Sequence, residues 1–96
     1  MILFVNACVR HGSRTEKLAR HLLSKLSGEI KEVKTGDLSF PKADEAFLKK
    51  RDSLLLEGQY GDGLFSAARD FAAASEIVIA APYWDLSFPS ALKQYF

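Results

Sequence analysis

The chain is short of the residues that usually advertise chemistry: 96 residues hold one cysteine, two histidines, one tryptophan and three prolines. A lone Cys8 excludes an internal disulfide and suits a reducing compartment. A net charge of +1 gives no bulk attraction for nucleic acid or an anionic membrane. No apolar run approaches the roughly 20 residues that span a bilayer. The opening Met1-Ile2-Leu3-Phe4-Val5 is too short, and lacks the basic flank, for a signal peptide. The expectation is a cytoplasmic chain with no nucleic-acid partner and no membrane span. His11 and His21 have no Asp, Glu or Cys around them at metal-ligand spacing, so no metal is expected. G-x-G-x-x-G and G-x-x-x-x-G-K are both missing, which excludes the Rossmann and Walker readings. There is no internal repeat and no low-complexity segment.

What is present is ordinary for a globular protein, 48% hydrophobic and 26% charged. Ninety-six residues make one small domain. At this size the buried fraction is modest, so stability should be marginal unless the chain pairs with something. Residues 2–5 are a continuous apolar run, consistent with a strand buried on both faces. Residues 6–12 form a polar turn. Ser13-Arg14-Thr15-Glu16 has capping-box spacing, with Ser13 as N-cap. Leu18, Leu22 and Leu26 then fall on one helical face, beside Ala19 and Leu23, and Gly28 stands as the C-terminal glycine.

Residues 29–34 read as a second, more exposed strand, and Gly36-Asp37 and Phe40-Pro41 break the loop after it. Residues 43–57 favour helix, with Phe47, Leu48, Leu54, Leu55 and Leu56 apolar. Asp62 can cap a further helix whose apolar face carries Leu64, Phe65, Ala68, Phe71 and Ala72. The apolar run of residues 77–81 reads as a third, buried strand. Pro89 then fits the first turn of a last helix that carries Ala91, Leu92, Tyr95 and Phe96. Strands alternating with helices predict an α/β fold with a parallel sheet. Three strands and an unfinished helix read as an incomplete doubly wound domain over residues 1–96, truncated at its C-terminal end and not expected to be stable alone.

Two loops carry the chemistry. The first, Ala7-Cys8-Val9-Arg10-His11-Gly12-Ser13-Arg14-Thr15, ends at a helix N-terminus, where free N–H groups and the helix dipole favour an anion. Hydroxyls and arginines can add bonds to phosphate oxygens, which makes Arg10, Ser13, Arg14 and Thr15 candidate phosphate ligands. The bland alternative is that Ser13 only caps the helix while the arginines are solvated. A rival reading uses the same residues: Cys8 and Arg14-Thr15 spell C-x5-R-[ST], which resembles the loop of the low-molecular-weight tyrosine phosphatases. Here Asn6-Ala7 separate the strand from the cysteine, and no aspartate-proline acid follows.

The second loop, Ala81-Pro82-Tyr83-Trp84-Asp85-Leu86-Ser87-Phe88-Pro89, places aromatic side chains at the carboxyl end of a strand, where open α/β sheets bind ligands. With Ser90-Ala91-Leu92-Lys93 it resembles the flavin-contact motif of the flavodoxin-like NAD(P)H:quinone oxidoreductases and FMN-dependent azoreductases. Pro82, Trp84, Pro89, Leu92 and Lys93 stand in the register of that motif. Ser13-Arg14-Thr15 followed by Lys17-Leu18-Ala19 is similar to the family's phosphate loop.

The resemblance covers all 96 residues but only the N-terminal half of the family domain, about three strands of five in a flavodoxin-like doubly wound parallel sheet. It implies FMN as cofactor, with FAD the alternative, and NAD(P)H as electron donor. Ser13, Arg14 and Thr15, joined by Arg10, would hold the flavin phosphate, and Pro82, Tyr83, Trp84, Asp85 and Leu86 would line the ring. Azoreductases often carry asparagine where this chain has Asp85. A carboxylate aimed inward there would disfavour the anionic reduced flavin. Within the family the cofactor carries the chemistry, passing hydride from the nicotinamide to a quinone, an azo compound or another small-molecule acceptor, so no catalytic side chain is expected. The family forms homodimers with sites at the interface. The 96-residue chain is expected to be inactive alone. A phosphatase, or a non-catalytic flavin-binding or regulatory fragment, remain the alternatives.

Overall fold

The computed structural model describes residues 1–40, 42–82 and 88–96. The chain runs β1 (Ile2–Asn6), α1 (Arg14–Ser24), β2 (Ile30–Lys34), α2 (Glu45–Leu56), α3 (Ser66–Ala73), β3 (Glu76–Ala80) and α4 (Ser90–Tyr95). Short 3-10 turns at Thr35–Asp37 and Gly63–Phe65 interrupt the connections. The strands form one parallel sheet in the order β2-β1-β3. Register sets Phe4 between Glu32 and Val78, and Asn6 between Lys34 and Ala80.

Successive side chains of a strand point to opposite faces, and β1 buries both of its faces. Ile2 and Phe4 pack with Ala19 and Leu23 of α1 and with Ala80, while Cys8, Leu26 and Val78 close the edge of that cluster. Leu3, Val5 and Ala7 pack on the other face against Leu92 and Tyr95 of α4, with Val33, Phe40, Ala67 and Ala74 around them. Helices on both faces of a parallel sheet make the fold a doubly wound α/β arrangement. The three strands, and the exposed character of β2, are as the sequence predicts, but β3, expected from its apolar run to be buried, leaves Ile77 and Ile79 exposed because no further strand among the described residues covers its outer edge.

Several details differ. The buried line of α1 is Ala19–Leu23, whereas Leu18 is 71% exposed and Leu22 48%. Both apolar stripes exist on the helix, but only one lies over the sheet. Leu18 and Leu22 overhang the outer side of β3 and line a depression there with Val78 and Ile79. The C-cap is Lys25, not a glycine; Gly28 takes a positive φ of 126° in the turn beyond. The helix expected after Asp62 is split, with Asp62 capping the 3-10 turn and α3 beginning at Ser66. It is Ala67 that reaches the core, and the Phe71 ring stacks edge-on against Phe96 instead. Pro89 is the N-cap of α4, one place before the first helical residue. No residue of α2 is buried; Arg51 interrupts the side that carries Phe47, Leu48, Leu54 and Leu55. No helix among the described residues is long and apolar enough to cross a membrane.

Candidate functional site

The loop from β1 to α1 is held at both ends. At its start, Ala80 of β3 accepts two hydrogen bonds on its carbonyl oxygen, from the Ala7 N–H at 2.8 Å and the Cys8 thiol at 3.7 Å. The Cys8 N–H donates to Asn6 Oδ1 at 3.0 Å. At its end, Ser13 caps α1, its hydroxyl accepting from the Glu16 N–H at 3.3 Å. Between these anchors Gly12 turns the chain with a φ of 73°, a left-handed conformation that glycine adopts freely.

The capping box is only half formed. Its reciprocal bond would run from the Ser13 N–H to the Glu16 carboxylate, but that N–H donates to the Arg10 carbonyl at 3.3 Å. Glu16 Oε1 instead accepts from Asn6 Nδ2 at 2.9 Å and from Arg20 Nη2 at 2.8 Å. Arg20 also pairs with Glu32 of β2 at 3.1 Å. The Arg20 hydrogen bond, then that of Asn6, hold the Glu16 carboxyl below the usual carboxylate value. The bonds to Glu16 and Glu32 likewise raise Arg20.

Glu16 and Glu32 are thereby occupied. Among the described residues Arg10, Arg14, Lys17 and Lys34 enter no ion pair. A depression of about 520 Å³ is lined by residues 9–15 and by Pro82. It lies between the carboxyl ends of β1 and β3, above the α1 N-terminus. The geometry therefore brings together five of the sequence-predicted site residues: Arg10, Ser13, Arg14, Thr15 and Pro82. Such a concave, cationic, N–H-rich surface suits a phosphate group. The remaining four, Tyr83, Trp84, Asp85 and Leu86, lie outside the described residues.

The model of the flavodoxin-like fold family matches residues 1–96. The chain belongs to that family. A flavodoxin-like domain places its ligand in the crevice where connections from neighbouring strands diverge to opposite faces, which here is the gap between β1 and β3. Relatives agree at the level of sequence. The chain is 32% identical over 87 residues to FMN-dependent NADH:quinone oxidoreductase 2 of Clostridium acetobutylicum, an alignment covering 86% of the chain and 44% of the relative. It is 28% identical to FMN-dependent NADH:quinone oxidoreductase of Coprothermobacter proteolyticus, covering 99% of the chain and 51% of that protein. For the protein of the same name from Clostridium perfringens the identity is 30%, with 98% and 51% covered. The chain spans about half the length of these curated relatives.

Two residues change standing within the flavodoxin-like frame. Cys8, the nucleophile of the phosphatase reading, packs beside the Ile2–Phe4 cluster and donates its thiol to Ala80. That is a structural task, and it aims the sulfur at the end of β3. Asn6, expected in a polar turn, is the last residue of β1 and ties the loop to α1 and β2. Its one visible signal is a polar side chain ending an apolar strand.

Proposed function

We propose that this chain binds FMN and forms the phosphate-binding part of a flavin-dependent NAD(P)H oxidoreductase domain. The observation that carries the proposal is the depression at the α1 N-terminus, whose Arg10 and Arg14 enter no ion pair among the described residues, set in the β1–β3 crevice of a flavodoxin-like sheet. The names of the relatives, FMN-dependent NADH:quinone oxidoreductases, support the same reading. Ser13 and Thr15 donate hydroxyls to the phosphate oxygens, Arg14 adds a charge-assisted bond, and Arg10 closes the loop over the group. Pro82 borders the depression, and by the family resemblance it lines the isoalloxazine ring together with Tyr83, Trp84, Asp85 and Leu86. Bound flavin supplies the two-electron hydride chemistry between NAD(P)H and a quinone, azo or similar acceptor, and the side chains orient it and exclude water. FAD could replace FMN at the same loop. Turnover belongs to a larger, homodimeric and cytoplasmic assembly, and the 96 residues alone bind without turning over.

Titration of FMN into the purified chain, followed by quenching of flavin fluorescence, tests the reading. Arg14→Ala should weaken FMN binding roughly 10- to 100-fold, the range for losing a charged hydrogen bond. A folded, colourless protein that takes up no added FMN would overturn it. Hydrolysis of an aryl phosphate that vanishes in Cys8→Ser would favour the phosphatase instead.

A further inference from the structure

Asn6 is 4% exposed, and an amide buried that deeply is tolerated only when its bonds are made. Its side chain makes three: one to the loop at Cys8 N–H (3.0 Å), one to Glu16 in the first turn of α1 (2.9 Å) and one to Glu32 on β2 (3.3 Å). We propose that Asn6 is a positioning residue for the phosphate loop, and that it acts chiefly by holding the Glu16 carboxylate away from the α1 N-terminus. This rests on the FMN reading given above.

The half-formed capping box leaves the Glu16 carboxylate with a choice of partners. Glu16 stands three residues after Ser13, the spacing at which a glutamate turns back onto the N-cap amide. Completed, that bond would draw the Ser13 N–H from the Arg10 carbonyl and place a negative charge beside the N–H groups that the flavin phosphate needs. Asn6 and Arg20 provide Glu16 Oε1 with other donors on the β2 side of the helix. Asn6 does a second thing with the same side chain, because its Oδ1 fixes the first residue of the loop. Removal of Asn6 therefore acts on the phosphate end of the ligand and leaves the ring end untouched.

FMN and riboflavin, which differ only in the phosphate, separate the two ends. Both are titrated into the full 96-residue chain and into Asn6→Ala, with circular dichroism as the check of folding. FMN binding should weaken about tenfold while riboflavin binding changes by less than about twofold. The double variant Asn6→Ala/Glu16→Gln should recover most of the loss, since a neutral amide at residue 16 no longer repels phosphate. If Asn6→Ala does not fold, Asn6→Ser keeps an acceptor for the Cys8 N–H but is too short to serve both carboxylates, and it carries the same comparison. Equal weakening of both flavins, no weakening, or no recovery in the double variant overturns the role of Asn6. A wild-type chain that binds no FMN overturns the function on which it rests.

Discussion

β1 and β3 are five-residue strands of nearly equal apolar content, paired side by side in register, and they have opposite fates. Every residue of β1 is buried, whereas Ile77 and Ile79 of β3 are 36% and 42% exposed. The difference lies in coverage. β1 has a hydrogen-bonded neighbour on each side and a packed cluster on each face. β3 has one neighbour among the described strands, and beside it α1 presents Leu18 and Leu22 outward. Apolar content marks what a strand can bury; its place in the sheet decides what it does bury. The functional loop draws on both, since it leaves from the end of β1 and is tied to the last carbonyl of β3.

The comparison is broken or sharpened most strongly by paired truncations. Phe4→Ala should cost about 3–5 kcal/mol, the range for emptying a fully packed aromatic site. Ile79→Ala should cost about 1 kcal/mol, because much of that side chain already meets water. Urea unfolding midpoints measure both, and equal losses would show that β3 is covered in solution. Next in size is Tyr95, on the far side of β1, whose hydroxyl is buried with no hydrogen-bond partner among the described residues. Burial, then the charge of Asp70, pushes that phenol up. Tyr95→Phe removes the unsatisfied group and should stabilise the chain by about 1 kcal/mol; a clear loss in Tm would mean that the hydroxyl has a partner in solution. The smallest effect is expected at Glu16, an exposed-side carboxylate whose folded pKa is depressed by Arg20 and Asn6. A depressed pKa gives stability that is present above the usual value of 4.5 and is lost as pH falls through the lower, folded value. The Tm difference between wild type and Glu16→Gln should therefore shrink on acidification below pH 4.5. A difference that stays constant with pH would remove the ion pair from the account.

What the sequence made legible was local. The apolar run of β1, the Ser13 cap, the alternation of strands with helices and the hydroxyl-arginine turn all depend on residues a few positions apart. Which stripe of α1 is buried was not legible, because the Ala19–Leu23 and Leu18–Leu22 lines adjoin on the helix and the width of the sheet chooses between them. The split before α3 is not legible because Asp62 caps a 3-10 turn and an α-helix with the same kind of bond to a following N–H. Arg10, Ser13, Arg14 and Thr15 are expected together from hydroxyls and arginines at a helix start, and Pro82 from the family resemblance; the structure sets all five around one depression. The role of Asn6 was not legible, since its partners lie 10 and 26 residues away and only the fold brings them within reach.

Arg20 adds one more consequence. Its guanidinium lies over the Phe4 ring, 5.5 Å from the centroid, while its Nη2 bridges Glu16 and Glu32. A cation half open to solvent thus serves as part of the roof of the apolar interior. Added salt, which usually touches only the outside of a protein, acts here on a side chain that shields an aromatic ring from water. A lysine at this position would keep the charge and lose the flat plate.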